Sequence, residues 1–127
     1  MQKIIALLLF TLFSSISFSQ SAKIEFSAKD NTIDYGKVNK TTDSGIRSFQ
    51  FTNTGDAPLV IIDVLSTSGF TISQKPTQPI APGQKGKIEV KYNMATGPIR
   101  KTITVESNAT NYEGGRIALK IKGEVIE

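Results

Sequence analysis

Residues 115–126 read GRIALKIKGEVI. Ile117, Leu119, Ile121 and Val125 fall on one side of a two-residue period, and Ala118, Lys120, Lys122 and Glu124 fall on the other. A chain that sends successive side chains to opposite faces is a β-strand, and this one lays an apolar face on a core and a charged face in water.

The same grammar recurs upstream. In KGKIEVKYN, Ile88, Val90 and Tyr92 point inward while Lys87, Glu89 and Lys91 point outward. IRKTITVESN carries Ile103 and Val105 inward among threonines, and GIRSFQFTNTG sets Phe49 and Phe51 against Ser48, Gln50 and Thr52. KIEF (Lys23–Phe26) opens the series, and NTIDYGKV follows with Ile33 and Tyr35 two apart and Gly36 marking a kink. APLVIIDVLS differs, being apolar on both faces from Leu59 to Ile62, as in a central strand or one with a bulge. No window of helical periodicity reaches ten residues.

Turn chemistry fills the gaps at Asn53-Thr54-Gly55-Asp56, Ala81-Pro82-Gly83-Gln84, Thr96-Gly97-Pro98 and Glu113-Gly114-Gly115. Pro82-Gly83 suits the centre of a type II turn. Pro76, Pro79 and Pro82 each lack an N–H donor, so Gln74–Gln84 cannot form a regular ladder. That segment is expected to carry the chain along an edge or across an end. About seven short strands at this spacing predict an all-β fold, an immunoglobulin-like antiparallel β-sandwich. The Cys…Trp…Cys signature of antibody domains is missing, since the chain has no Cys and no Trp.

The N-terminus obeys other rules. MQKIIALLLFTLFSSISFS has one lysine, an apolar run from Ile4 to Phe13 and a small-residue end at Ser17-Phe18-Ser19, the pattern of a cleaved secretory signal over residues 1–19. Ile4–Phe13 is shorter than the about 20 apolar residues that span a bilayer. The expectation is an exported chain, periplasmic or secreted, with residues 20–127 (127 − 19 = 108 residues) forming one Ig-like domain. It would have no transmembrane segment and no lipid anchor, for no cysteine follows the apolar run to take an acyl group.

Composition narrows the chemistry. Zero Cys and zero His remove thiolate and imidazole catalysis and the commonest zinc ligands. Formal charge is +4, falling to +3 if Lys3 leaves with the signal, and no basic motif with stacking aromatics points to nucleic acid.

The run FQFTNTGDAPLVIIDVLSTSGFTISQKPTQPIAPGQKGKIEVKYN, then GPIRKTITVESNAT and a final ALKIKGEV, resembles the domain of unknown function 1573 family. Its most specific pieces are Phe51–Gly55, Pro79–Gly83 and Lys101–Val105 with Ser107-Asn108. The resemblance implies a secreted bacterial Ig-like module, similar in outline to abnormal-spindle/hydin and major-sperm-protein domains, with no activity to carry over. Relatives often carry Cys-Gly-Cys where this chain has Ser68-Gly69-Phe70. Ser68 lacks an activating base and Phe70 has no such chemistry, so a thiol role is excluded and Phe70 is expected to pack.

No arrangement of Ser, Lys or carboxylates forms a recognised catalytic set, and the chain is expected not to be an enzyme and to use no cofactor or metal. Asp63 is expected on the solvent face or at a bulge, bonded to a nearby N–H. The expected role is a monomeric, non-catalytic module that binds or scaffolds a protein or glycan of the cell envelope, an open edge strand adding an extended peptide. The rival role is a binder of anionic glycan through lysine-rich strand faces. Candidate surface residues are Leu59, Ile61, Leu65, Phe70, Lys87, Lys91, Lys120 and Lys122.

Overall fold

The computed structural model describes residues 20–127, and the expected signal segment lies outside the described residues. Eight strands run in chain order: β1 (Ile24–Phe26), β2 (Thr32–Asn39), β3 (Ile46–Asn53), β4 (Ile61–Leu65), β5 (Phe70–Gln74), β6 (Lys85–Tyr92), β7 (Gly97–Ser107) and β8 (Arg116–Ile126). They make two four-stranded sheets, ordered β1-β3-β6-β5 and β2-β8-β7-β4. The all-β, Ig-like sandwich expected from alternation is what forms.

It differs from the expectation in two ways. The eighth strand is β5, drawn from the head of the proline-rich stretch, and it pairs antiparallel with β6 from Phe70↔Tyr92 onward. The second difference is direction, for β2 pairs parallel with β8 (Ile33↔Ile121, Val38↔Val125). The chain leaves β1 in one sheet and enters β2 in the other through a 3-10 turn at Lys29–Asn31, and this entry direction matches that of the last strand.

The core is the inward face of each alternating strand. Phe49, Phe51, Ile88 and Val90 from one sheet meet Ile99, Ile103, Val105, Ile117, Leu119 and Ile121 from the other, all fully buried or nearly so. Each such side chain contributes roughly 1.5–3 kcal/mol by leaving water. Position 123 on β8 is inward yet is glycine, with φ of 147°. A Cβ there would stand 2.8 Å from the Cβ of Tyr35, so the gap in the apolar period is the seat of that residue.

Gln74–Gln84 behaves as an edge connection. Ala81 O accepts the N–H of Gln84 at 3.0 Å, and Gly83 between them has φ of 81°, the geometry expected of Pro82-Gly83. Ile80 exchanges two backbone bonds with Leu59 (2.9 and 2.8 Å), so the loop reaches across to the residues entering β4.

Two asparagines close the ends of the sandwich. Asn53, fully buried, donates from Nδ2 to Ala57 O and Ile80 O, both at 2.9 Å, while its Oδ1 accepts Gly55 N–H at 2.9 Å. Asn111, in the β7–β8 connection, accepts Ile24 N–H at 3.1 Å and donates to Ile24 O at 2.9 Å. A side-chain amide thus takes the place of a neighbouring strand on the outer edge of β1, a guard against edge-to-edge pairing.

Candidate functional site

The eight candidate residues do not share one surface. Leu59 is 0% exposed and Phe70 is buried, so neither belongs to a docking face; this corrects their placement in the candidate set. Leu59 is held inward by its bridge to Ile80. Phe70 stacks on Tyr92 with ring centroids 4.6 Å apart and meets Tyr35 edge-on at 6.4 Å. Ile61 is half-buried and faces inward opposite Ser107.

Leu65 stays outside at 40% exposure, together with Val60 (38%) and Ile62 (65%), which alternation sets on the strand face opposite Leu59, Ile61 and Leu65. The cause is a bulge. Ile61 pairs with Ser107 and Asp63 with Glu106, so Ile62 is an extra residue with no partner, turned outward. Asp63 occupies the bulge as expected, its Oδ1 accepting Val64 N–H at 2.8 Å and facing Lys75 Nζ at 3.4 Å. The signal in the sequence was the loss of alternation across Leu59–Ile62.

The lysines divide into two pairs on opposite faces. Lys87 and Lys91 lie on β6, beside Gln50 and Ile46 of β3 on the outside of one sheet. Lys120 and Lys122 lie on β8, on the outside of the other. A single four-lysine surface does not exist. On the second face the sequence reasoning missed Arg100, which stands directly opposite Lys122, as Thr102 stands opposite Lys120. Alternation from Ile99 to Val105 was the available signal. An open groove of about 540 Å³ runs here, lined by Thr32, Arg100, Thr102, Lys120 and Lys122 among others.

Ser68 accepts a hydrogen bond from Lys101 Nζ at 2.8 Å. An ammonium donating to a hydroxyl takes up an oxygen lone pair and removes no proton, so the pair does not activate a nucleophile. Among the described residues no group of three His, Cys, Asp or Glu side chains could hold a metal ion. Every fully buried side-chain polar atom among them has a hydrogen-bond partner.

The perturbed ionisable groups all belong to one structural cap. Arg47 donates to both carboxylate oxygens of Asp43 (3.1 and 2.9 Å) and lies 4.2 Å over the ring of Tyr35, whose hydroxyl donates to Gly45 O at 2.6 Å. Burial pushes the Tyr35 phenol up to about 12, with Arg47 pulling the other way. The Arg47 hydrogen bond, then Gly45 N–H, holds the Asp43 carboxyl below its usual value; the Asp43 bond likewise raises Arg47. This cap lies on the inward side of β3, where Arg47 opposes Val90.

Two four-stranded sheets packed face to face define an Ig-like β-sandwich. The chain belongs to the DUF1573 family, a family of proteins of unknown function, whose profile matches residues 24–125. No curated protein matches it by sequence. It is similar in fold to a protein of unknown function from Porphyromonas gingivalis W83 (19% identity, TM-score 0.63), covering 84% of this chain and 48% of that one. The chain thus spans about half the length of that relative. It is also similar to the ASH/PapD-like domain 7 of human CEP192 (13% identity, TM-score 0.57, 84% and 87% of the two chains). The YadV chaperone is similar over 83% of this chain and 53% of its own (18% identity, TM-score 0.54). Likeness at these identities is likeness of fold. Among the described residues no helix is long and apolar enough to cross a membrane.

Proposed function

We propose that the protein is an exported, non-catalytic binding module of the cell envelope that takes an extended protein segment along the β4 edge. One observation carries the reading: β4 is hydrogen-bonded to β7 alone and exposes Ile62 and Leu65. An open edge adds a strand by main-chain pairing, and outward apolar side chains give the added strand something to rest on. The β1 edge does not offer this, being occupied by Asn111. The bulge at Ile62 and the Asp63–Lys75 ion pair limit indiscriminate pairing, which an edge of this kind requires. A fold shared with a protein named as a chaperone, YadV, supports a protein partner. Export rests on the N-terminal segment of residues 1–19.

The test is site-specific photo-crosslinking in intact cells, with the reactive group at position 62, at 65, or at Ser48 on the far sheet. Capture of one discrete partner from 62 and 65 but not from 48, with capture from 65 lost when Ile62→Lys is introduced, is the expected result. No adduct under mild or crosslinked conditions alike would overturn it. Fractionation should place the protein outside the cytoplasm with a new N-terminus at Gln20 or Ser21, and a cytoplasmic protein beginning at Met1 would remove the export reading.

A further inference from the structure

The outer face of the β2-β8-β7-β4 sheet follows a charge rule and then breaks it. At one end Glu106 stands opposite Arg116 and bonds it at 3.5 Å; toward the other, Glu124 stands opposite Lys37 at 4.0 Å. Between them Arg100 stands opposite Lys122, with Lys120 two residues along the same strand. Like charges directly opposite on neighbouring strands, about 4.8 Å apart, destabilise a sheet. None of these three cations has an ion pair among the described residues. The one acid in the same row, Asp34, stands beside Lys122 on β2, its Oδ1 accepting the N–H of Gly36 at 2.8 Å; its charge offsets one of the three cations and leaves an excess of two. Asp30 and Lys29 lie further out along the same rim. Thr32 and Thr102 flank Lys120 on either side in register; the Thr32 hydroxyl donates to Asp30 O at 3.0 Å, and Thr102 adds a hydroxyl to the groove. Lys101 lines it as well, but its ammonium is engaged by Ser68.

From this arrangement we infer a site for one tetrahedral oxyanion, a phosphate or sulfate ester, held by Arg100, Lys120 and Lys122 with the hydroxyl of Thr102. Local rules are broken in folded proteins chiefly where function compensates, and an anion of charge near −2 converts the repulsive row into a neutralised one. The ion-paired ends confine the excess charge to three neighbouring side chains. That suits a discrete group rather than a membrane plane or a nucleic-acid backbone, either of which calls for a broad basic surface. This site shares no residue with the β4 edge, so it stands or falls apart from the binding role proposed there.

The experiment titrates inorganic phosphate into the 15N-labelled protein at constant ionic strength, with chloride as the balancing ion. Saturable shifts at the amides of Thr32, Arg100, Thr102, Lys120 and Lys122 are expected. Arg100→Glu keeps the fold, since it turns a like-charge row into an ion pair with Lys122, and weakens phosphate binding by more than about tenfold, because it removes one charge-assisted hydrogen bond and sets a carboxylate against the anion. Lys120→Gln weakens it in the same direction without creating an ion pair. Vesicles of phosphatidic acid distinguish the source: binding in addition to the phosphate shifts assigns a lipid headgroup, and shifts without it assign a soluble or polymer-borne ester. The inference is overturned if chloride moves the same amides equally, if Lys87 and Lys91 respond with the same midpoint, or if vesicles bind while inorganic phosphate does not.

Discussion

The side-chain amide of Asn53 donates to the carbonyl of Ile80, 27 residues further along the chain, at 2.9 Å. Backbone bonds flank it, Asn53 N–H to Gln84 O at 2.9 Å and Gly83 N–H to Asn53 O at 2.8 Å. One residue at the end of β3 therefore fixes the turn that follows it and the proline-rich loop that folds over it. Asn53→Ala leaves the Ala57 carbonyl and the Gly55 N–H without their partners and the Ile80 carbonyl with Leu59 N–H alone, all in a part-buried turn, and it should cost about 1–3 kcal/mol in urea unfolding. Asn53→Asp should cost more, because a carboxylate would face two carbonyl oxygens. A loss under about 1 kcal/mol for both would mean that the loop holds its place without this amide.

The Asp43–Arg47–Tyr35 cap predicts sensitivity at both ends of the pH scale. The Asp43 carboxyl is held below its ordinary 3.8, so its contribution is complete above that value and is lost as pH falls through the lower, folded one. Asp43→Asn should be less stable than the parent at neutral pH, and the gap should start to close only below pH 3.8. A gap that stayed constant into strong acid would show that the Arg47 contact contributes nothing through charge.

Tyr35 works in the opposite sense. Its folded value is raised from 10.0 to about 12, so the stability it lends is whole below 10.0 and disappears as pH climbs through about 12. Ultraviolet titration should show a tyrosinate step delayed to about pH 12 that Tyr35→Phe removes. The same variant loses the 2.6 Å bond to Gly45 O and should be about 1 kcal/mol less stable at neutral pH.

How much of this was legible follows from what alternation encodes. The period of two in GRIALKIKGEVI placed Ile117, Leu119, Ile121 and Val125 inside, and the same reading placed Phe49, Phe51, Val90 and Tyr92 there. Alternation states which way a side chain leaves its own strand. It does not state which sheet the strand joins, because the crossings between β1 and β2, β2 and β3, β3 and β4, β4 and β5, and β6 and β7 carry no local mark. Lys87 and Lys120 therefore looked alike, although they lie on opposite outer faces. The strand Phe70–Gln74 escaped notice because two inward apolar residues, Phe70 and Ile72, are too few to show a period beside three prolines. The parallel β2–β8 pair was hidden for a similar reason, since strand direction depends on how the chain enters the sheet.

Gly123 tests the seat of Tyr35 directly. Its φ of 147° and the 2.8 Å approach of Tyr35 Cβ leave no room for a side chain. Gly123→Val restores the apolar period of β8 and, on sequence grounds, should strengthen the strand. Packing predicts the reverse, a loss of about 2–3 kcal/mol from displaced aromatics and strained backbone, read in thermal or urea unfolding. An unchanged or raised stability would mean that β8 continues past Ile121 as an ordinary strand.

Leu59 and Ile62, three residues apart in one apolar run, should respond in opposite ways. Leu59 is sealed under the Ile80 bridge, so Leu59→Ala removes buried methyl groups and leaves a void, at about 2–4 kcal/mol. Ile62 is the extra residue of the bulge and 65% exposed, so Ile62→Lys should change stability by no more than about 0.5 kcal/mol. The comparison isolates the bulge from general hydrophobicity, because a regular strand through the same residues would turn Leu59, Ile61 and Asp63 to one face and Val60, Ile62 and Val64 to the other. Val64 is buried, so Ile62 on a regular strand would be buried with it. Equal costs for the two substitutions would therefore place Ile62 in the core and take from β4 the exposed apolar edge on which partner binding rests.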